Sequence, residues 1–251
     1  ATKIFDQHIQ DGETVVNKIK IQDSRATAEP FFFYMGLLLT GIVLLGFLPP
    51  VLAKPNSAFS LPLLYQIHGL IFLSWFGFYT FQASLVQGGR LKQHRQRGQW
   101  SSILAISMLV TGYCMMRVAF ALPGFAIGEN SHIASMMFPT TDLINFSIAF
   151  VLGLVHRANG KAHKRLMLLA GILILDPAVA RLIETVGAPF PFIPIMELGL
   201  FGLLIGYDMV RLKRPHWASL LGLGLFFAAM IAKLSIANTP IWSEFATLLF
   251  A

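Results

Sequence analysis

The sequence predicts an all-α protein, a seven-transmembrane-helix bundle with its N-terminus cytoplasmic, its C-terminus outside, and a short outer interfacial C-terminal helix. Three observations predict it. The 251-residue chain is 55% hydrophobic and only 12% charged, with a mean hydropathy of +0.66, too apolar for an ordinary soluble domain. Apolar runs of about 20 residues, the length that crosses a hydrocarbon core, recur along it. Lys and Arg concentrate in alternate connections between those runs, as the positive-inside rule requires of a polytopic protein.

The chain opens with a mixed-charge stretch over 1–30 that has no compact apolar core of the signal-peptide kind, and it reads as a cytoplasmic arm. Spans are predicted at 31–53, 62–87, 100–122, 139–156, 165–187, 192–211 and 217–238. Together they make a membrane domain over 31–238. Lys3, Lys18, Lys20 and Arg25 precede the first span, and Arg90, Lys92, Arg95 and Arg97 follow the second. Arg157, Lys161, Lys164 and Arg165 follow the fourth, and Arg211, Lys213 and Arg214 follow the sixth, whereas the other connections hold little but Lys54. An odd number of spans places the two termini on opposite sides, in agreement with the charge pattern.

The connection 123–138 is apolar for a loop and is expected to fold back over the bundle. Over 239–251, Thr239 and Pro240 stand at cap and first-turn positions before Trp242, Phe245, Leu248 and Leu249 at helical spacing, the pattern of a helix lying in the outer interface. The single cysteine, Cys114, lies in an apolar run, so there is no disulfide framework and no CxxC metal motif. The formal charge of +7 is spread over short connections instead of forming a patch on a soluble module. The basic residues are therefore topology signals, the lipid bilayer is the first partner, and nucleic acid is not one.

Charges inside the spans carry the functional signal. Counting 1.5 Å per residue puts Asp176 about 16 Å along the fifth span, near mid-membrane, with Arg181 and Glu184 farther out. The same count sets His68 about 9 Å and Glu197 about 7 Å inside the outer ends of the second and sixth spans, with Arg117 and Lys233 about 24 Å from the inner ends of theirs. Asp142 opens the fourth. Isolated charges in hydrocarbon cost several kcal/mol, so groups of both signs at one depth are expected to face a shared polar chamber. Arg181 and Glu184, three residues apart, are expected to pair locally. Pro177 removes a backbone donor and frees the carbonyl of Leu173, weakening the helix beside Asp176. Against this reading, Arg117 and Lys233 can snorkel to the boundary, and Asp142 can serve its helix N-terminus.

The second span adds Tyr65, His68, Phe72, Trp75, Tyr79 and Gln82 on one helical face. Such a stripe either packs or lines a flat ligand, a quinone or a porphyrin such as haem b. Lone His68 supplies neither two axial imidazoles nor a zinc ligand set, so no metal site is expected there. Gly199, Gly202 and Gly206 along the sixth span would permit close approach of another helix.

Two entry segments echo each other: "GGRLKQHRQRGQW" (88–100) before the third span and "HRANGKAHKRLM" (156–167) before the fifth, suggesting a duplicated two-helix unit. On His94, Arg95 and Gly98, on His163, Lys164, Arg165 and Met167, and on Arg181, the chain resembles a broad group of uncharacterised bacterial integral membrane proteins with HRxxG and HKRxM motifs. Some of these look related to b-type cytochromes or to oxidase-assembly proteins. The resemblance implies a multi-pass helical bundle in a bacterial inner membrane. His94 and His163 are inner-boundary candidates as haem ligands, proton-relay groups or lipid contacts.

Three functions are compatible with these residues. The outer chamber can bind a small molecule or cofactor through His68, Tyr65, Trp75, Tyr79, Arg117, Asp142, Asp176, Arg181, Glu184, Glu197 and Lys233. The protein can instead be a membrane redox protein holding haem or quinone, or a non-catalytic accessory subunit packed against partners in a larger membrane complex. Whether it is an enzyme is left open, and no catalytic residue is assigned.

Overall fold

The computed structural model describes residues 29–53, 61–122 and 124–251. All but the end of the expected amino-terminal arm, and Lys54, lie outside the described residues. The described chain is helical: α1 (Pro30–Ala53), α2 (Leu63–Gln87), α3 (Leu91–Gly98), α4 (Trp100–Ala121), α5 (His132–Ser135), α6 (Met137–Val155), α7 (Gly160–Ile172), α8 (Asp176–Thr185), α9 (Phe192–Leu212), α10 (Trp217–Ile231), a π turn (Ala232–Ile236) and α11 (Pro240–Phe250). Six helical spans are long and apolar enough to cross a membrane, and α7 with α8 passes the same test as a pair bent by 48°. This is a multi-pass membrane architecture of up to seven spans.

Helix ends follow local chemistry. Asn159 caps α7 by accepting from the Lys161 and Ala162 N–H groups, both at 3.2 Å, and Thr239 caps α11 by accepting from Trp242 N–H at 3.3 Å ahead of Pro240. The fifth span breaks where its proline predicts a weakness: α7 ends at Ile172 and α8 restarts at Asp176, with Pro177 in its first turn. The expectation of one weakened helix over 165–187 thus becomes two helices at an angle, and the unwound residues 173–175 lie between them.

α7 is the axis of the core. Ala162, Leu166, Leu168, Leu169, Ala170 and Ile172 are buried at 0–1% exposure, with α1, α2, α6 and α10 packed around them. Close approach of α1 to α8 depends on Gly46, where a Cβ would stand 2.5 Å from the Ala178 carbonyl oxygen. Large apolar residues cover the outside, among them Leu52, Leu70, Ile106, Val155, Val210 and Leu234, a surface suited to lipid.

A second apolar cluster closes one end of the bundle. There Met116, Met136, Met137, Trp242, Ala246 and Phe250 pack together with Ala237, which follows the π turn. α11 therefore turns Trp242 inward and presents Ile241, Phe245 and Leu248 outward, so Trp242 does not share the outward face with Phe245 and Leu248 as the sequence suggested. Gly199, Gly202 and Gly206 are exposed, and added Cβ atoms there would meet nothing within 4 Å; among the described residues they support no close helix approach.

Candidate functional site

Four of the ionisable residues singled out in the spans meet in one place. The Lys233 ammonium, on the π turn, donates to Asp142 Oδ1 at 3.0 Å and is also ion-paired to Asp176. Glu197 of α9 lines the same cavity as Asp176, with its carboxyl in hydrogen-bond contact with the Asp176 carboxyl. All four line a cavity of about 20 Å³ together with Asn145, Ile172, Leu173, Phe226, Ala229 and Met230. That volume holds a water molecule or a small cation and no organic ligand.

Each member is delivered by a local irregularity. The break after Ile172 puts Asp176 at the start of α8, beside unwound backbone. Pro177 cannot donate to the Leu173 carbonyl, and Leu173 lines the cavity. The π turn carries Lys233 to the side facing α6, where its ammonium also sits 5.1 Å from the Phe138 ring centre; such π segments recur at functional sites. Asp142 lies in the second turn of α6, because α6 begins at Met137, two residues before the expected start. It is thus paired and buried instead of serving a helix N-terminus. Asn145, one turn further on, donates its Nδ2–H to the Leu225 carbonyl at 3.2 Å; as a neutral residue on an apolar helix it gave no charge signal in the sequence.

Chemically, the site holds three carboxyl groups and one ammonium, and it is desolvated: Glu197 is 6% exposed and Asp142 6%. Fully ionised, it would keep two negative charges without a counter-charge in the described residues. Two carboxylates in contact cannot form a hydrogen bond unless one of them carries a proton.

The other expected chamber residues lie elsewhere. Arg181 and Glu184 are exposed, and no ion pair joins them among the described residues; the Arg181 guanidinium instead lies 5.1 Å from the Phe47 ring centre. The expected local pair does not form: α8 bends by 48° from α7 at the break and leaves both side chains exposed. Arg117 is exposed on α4 and takes no part in the cluster. His68 stacks on Phe72 at 4.3 Å, apart from the acid cluster. Tyr65 is half-buried beside it in sequence. Further along the stripe, Trp75 packs edge-on against Phe146 and Phe150 at 5.0 and 5.6 Å, and the Tyr79 hydroxyl reaches the Phe32 carbonyl at 3.5 Å. Protein rings fill this face where the sequence allowed a flat ligand.

The inner-boundary histidines do come together. His94 and His163 have ring centres 6.1 Å apart, nearly perpendicular. His163 Nδ1–H donates to the Gly153 carbonyl at 2.8 Å. With its nitrogen turned to the ring, the Gln82 amide donates to His94 Nδ1 at 2.7 Å while its oxygen accepts from Gly98 N–H at 3.3 Å. Gln82 was part of the stripe by spacing, and its use as an orienting group for a ring on α3 is visible only in the fold.

Two ionic clusters went unassigned in the sequence. Arg165 is 1% exposed and Asp208 is 0% exposed; Arg165 Nε donates to Asp208 Oδ1 at 2.8 Å, and the second carboxylate oxygen accepts from Ser219 Oγ at 2.7 Å and from His216 N–H at 2.9 Å. At the start of α1, Glu29 pairs with Lys164 and lies 3.8 Å from Arg211. Burial would raise the Glu29 carboxyl, but hydrogen bonds from Lys164 and Tyr207 and the charges of Lys164 and Arg211 outweigh it and hold it below its ordinary value. Burial, reinforced by the Arg165 charge, likewise lowers the His216 imidazole.

Searched against protein families, curated proteins and solved structures, the chain matches none.

Proposed function

We propose that this integral membrane protein holds an exchangeable proton in its Asp142–Asp176–Glu197–Lys233 cluster and passes it from one aqueous face of the membrane to the other. The contact between the Asp176 and Glu197 carboxyls carries the reading, because that hydrogen bond needs a proton and is lost when the proton leaves. Ionisable residues kept inside a membrane, facing a bundle interior, mark functional sites, proton relays and ion pathways among them. The cavity's size points the same way, toward a water or a small cation and away from the larger ligand that the chamber allowed on sequence grounds. The unwound residues beside Asp176 match the discontinuous helices at which transporters place their coupling ions. In this reading the positive-inside pattern sets the acid cluster in the outer half of a bacterial inner membrane, with His94 and His163 at the cytoplasmic boundary.

The test is proton flux into liposomes containing purified protein and an enclosed pH-sensitive dye. An imposed pH gradient is expected to collapse faster with the wild-type chain than with empty liposomes, and Glu197→Gln and Asp176→Asn are expected to abolish the difference. Wild-type flux equal to that of empty liposomes, or flux unchanged in both variants, would overturn the proposal.

A further inference from the structure

We infer that the end of the bundle beyond the acid cluster is closed by a lid latched on the imidazolium form of His132, so that the closure is released as pH on that side rises. The inference goes beyond the proton reading and stands without it. It rests on the two neighbours of one ring. His132 Nδ1 lies 2.9 Å from the Phe125 carbonyl oxygen and Nε2 lies 2.8 Å from the Phe120 carbonyl oxygen. Carbonyl oxygens only accept, so both ring nitrogens must donate, and imidazole donates from both only when it is protonated. A neutral ring keeps one of these bonds and turns a nitrogen lone pair on the other carbonyl.

The two carbonyls make the latch. Phe120 is in the last turn of α4, where the final carbonyls have no donor in their own helix and the helix dipole favours a cation. Phe125 lies in the connection that follows, so one ring ties that connection back to the helix it leaves. The ring is also flanked by Phe120 and Phe125 at 5.6 and 6.3 Å. Elsewhere the lid is held by the apolar cluster and by hydrogen bonds that include Ile127 N–H to Ser135 Oγ at 2.8 Å, Trp242 Nε1–H to the Ile133 carbonyl at 2.8 Å, and the Tyr113 hydroxyl to the Leu249 carbonyl at 2.9 Å. None of these changes donor count near neutral pH.

The lid rests on the acid cluster's own supports. Met136 and Met137 pack in the same apolar cluster as Ala232 and Ala237, which bracket Lys233. Phe138, one residue further on, lies against the Lys233 ammonium.

Charged groups on the elements around the ring are Arg117 on α4, Glu129 in the connection and Glu244 on α11, all exposed. Beneath them Asp142 on α6 and Lys233 on the π turn pair with each other. No ion pair involves His132 among the described residues. Its half-buried ring therefore faces backbone carbonyls and the adjacent aqueous phase.

The test is amide hydrogen exchange over 124–136 in the full-length protein in lipid nanodiscs, corrected for the intrinsic pH dependence of exchange. Wild-type protection is expected to fall roughly fivefold or more from mildly acidic to mildly alkaline pH, the scale of a cation's interaction with a helix C-terminus. His132→Gln, which keeps one donor, is expected to show the low protection at both. Nitrogen NMR of the labelled ring is expected to show both nitrogens protonated at the acidic pH. A ring with one protonated nitrogen while the segment is fully protected, or equal pH dependence in wild type and His132→Gln, would refute the latch. If flux through the acid cluster fails while protection of the segment still depends on pH through His132, the proton reading alone falls.

Discussion

The Asp176 carboxyl, at the first residue of α8, is in hydrogen-bond contact with the Glu197 carboxyl of α9. A proton shared by two acids has a vibrational signature. Infrared spectra of the protein in lipid at neutral pH are expected to contain a protonated-carboxyl stretch that shifts in heavy water, and Glu197→Gln is expected to remove it. Its absence from the wild-type spectrum would show that both acids are ionised.

Lys233 is ion-paired to Asp142 and Asp176 at once, so its removal leaves both without a cationic partner. Lys233→Met is expected to destabilise the fold by about 3–5 kcal/mol, the usual cost of leaving buried charge uncompensated. Adding Asp142→Asn should return part of that loss, because one stranded charge goes with it. Thermal unfolding in detergent measures both, and an unchanged midpoint in Lys233→Met would mean that the pairs contribute nothing.

Arg165→Lys is expected to behave almost as badly as Arg165→Leu, with a loss of about 3–5 kcal/mol for the latter. The guanidinium reaches Asp208 through both Nε and a terminal nitrogen and also donates to the Lys161 carbonyl at 2.8 Å, a fork that an ammonium does not reproduce. Unfolding midpoints of the two variants check this, and a wild-type midpoint in Arg165→Lys would refute the need for the fork.

The Glu29 carboxyl is lowered from an ordinary value of 4.5. A group lowered in the folded state contributes stability that is present above its unfolded value and is lost as pH falls through the folded one. Wild type is therefore expected to lose its advantage over Glu29→Gln as pH drops below about 4.5. Parallel unfolding midpoints from neutral pH downward test this; a constant difference would assign the contribution to packing.

Gly46 and Gly199 offer a matched pair. Gly46→Ala drives a methyl into the Ala178 carbonyl and is expected to cost about 1–3 kcal/mol and to reduce proton flux by displacing α8. Gly199→Ala faces open space and is expected to leave both stability and flux near wild type. Equal stability of the two variants would show that α1 can retreat from α8 without cost.

By itself the sequence determined the apolar spans and which of their residues carry charge. Hydropathy needs only composition along the chain, and the observed helices Leu63–Gln87 and Phe192–Leu212 begin and end within a residue of the expected spans. It also marked the break, because Pro177 lacks a donor whatever surrounds it. Only the tertiary structure decided which charges meet. Asp176, Arg181 and Glu184 look equivalent as charges on one apolar run, yet the 48° bend directs Asp176 to Lys233 and Glu197 and leaves the other two exposed. Arg165 looked like one more topology signal until packing around α7 buried it against Asp208. Gln82, Asn145 and His132 act through a ring, a cavity and two carbonyls brought from elsewhere in the chain. The physical reason is common to all of them: depth in the membrane is a property of position along a helix, whereas a partner depends on the helix's rotation about its axis and on its neighbours, and those are set by packing.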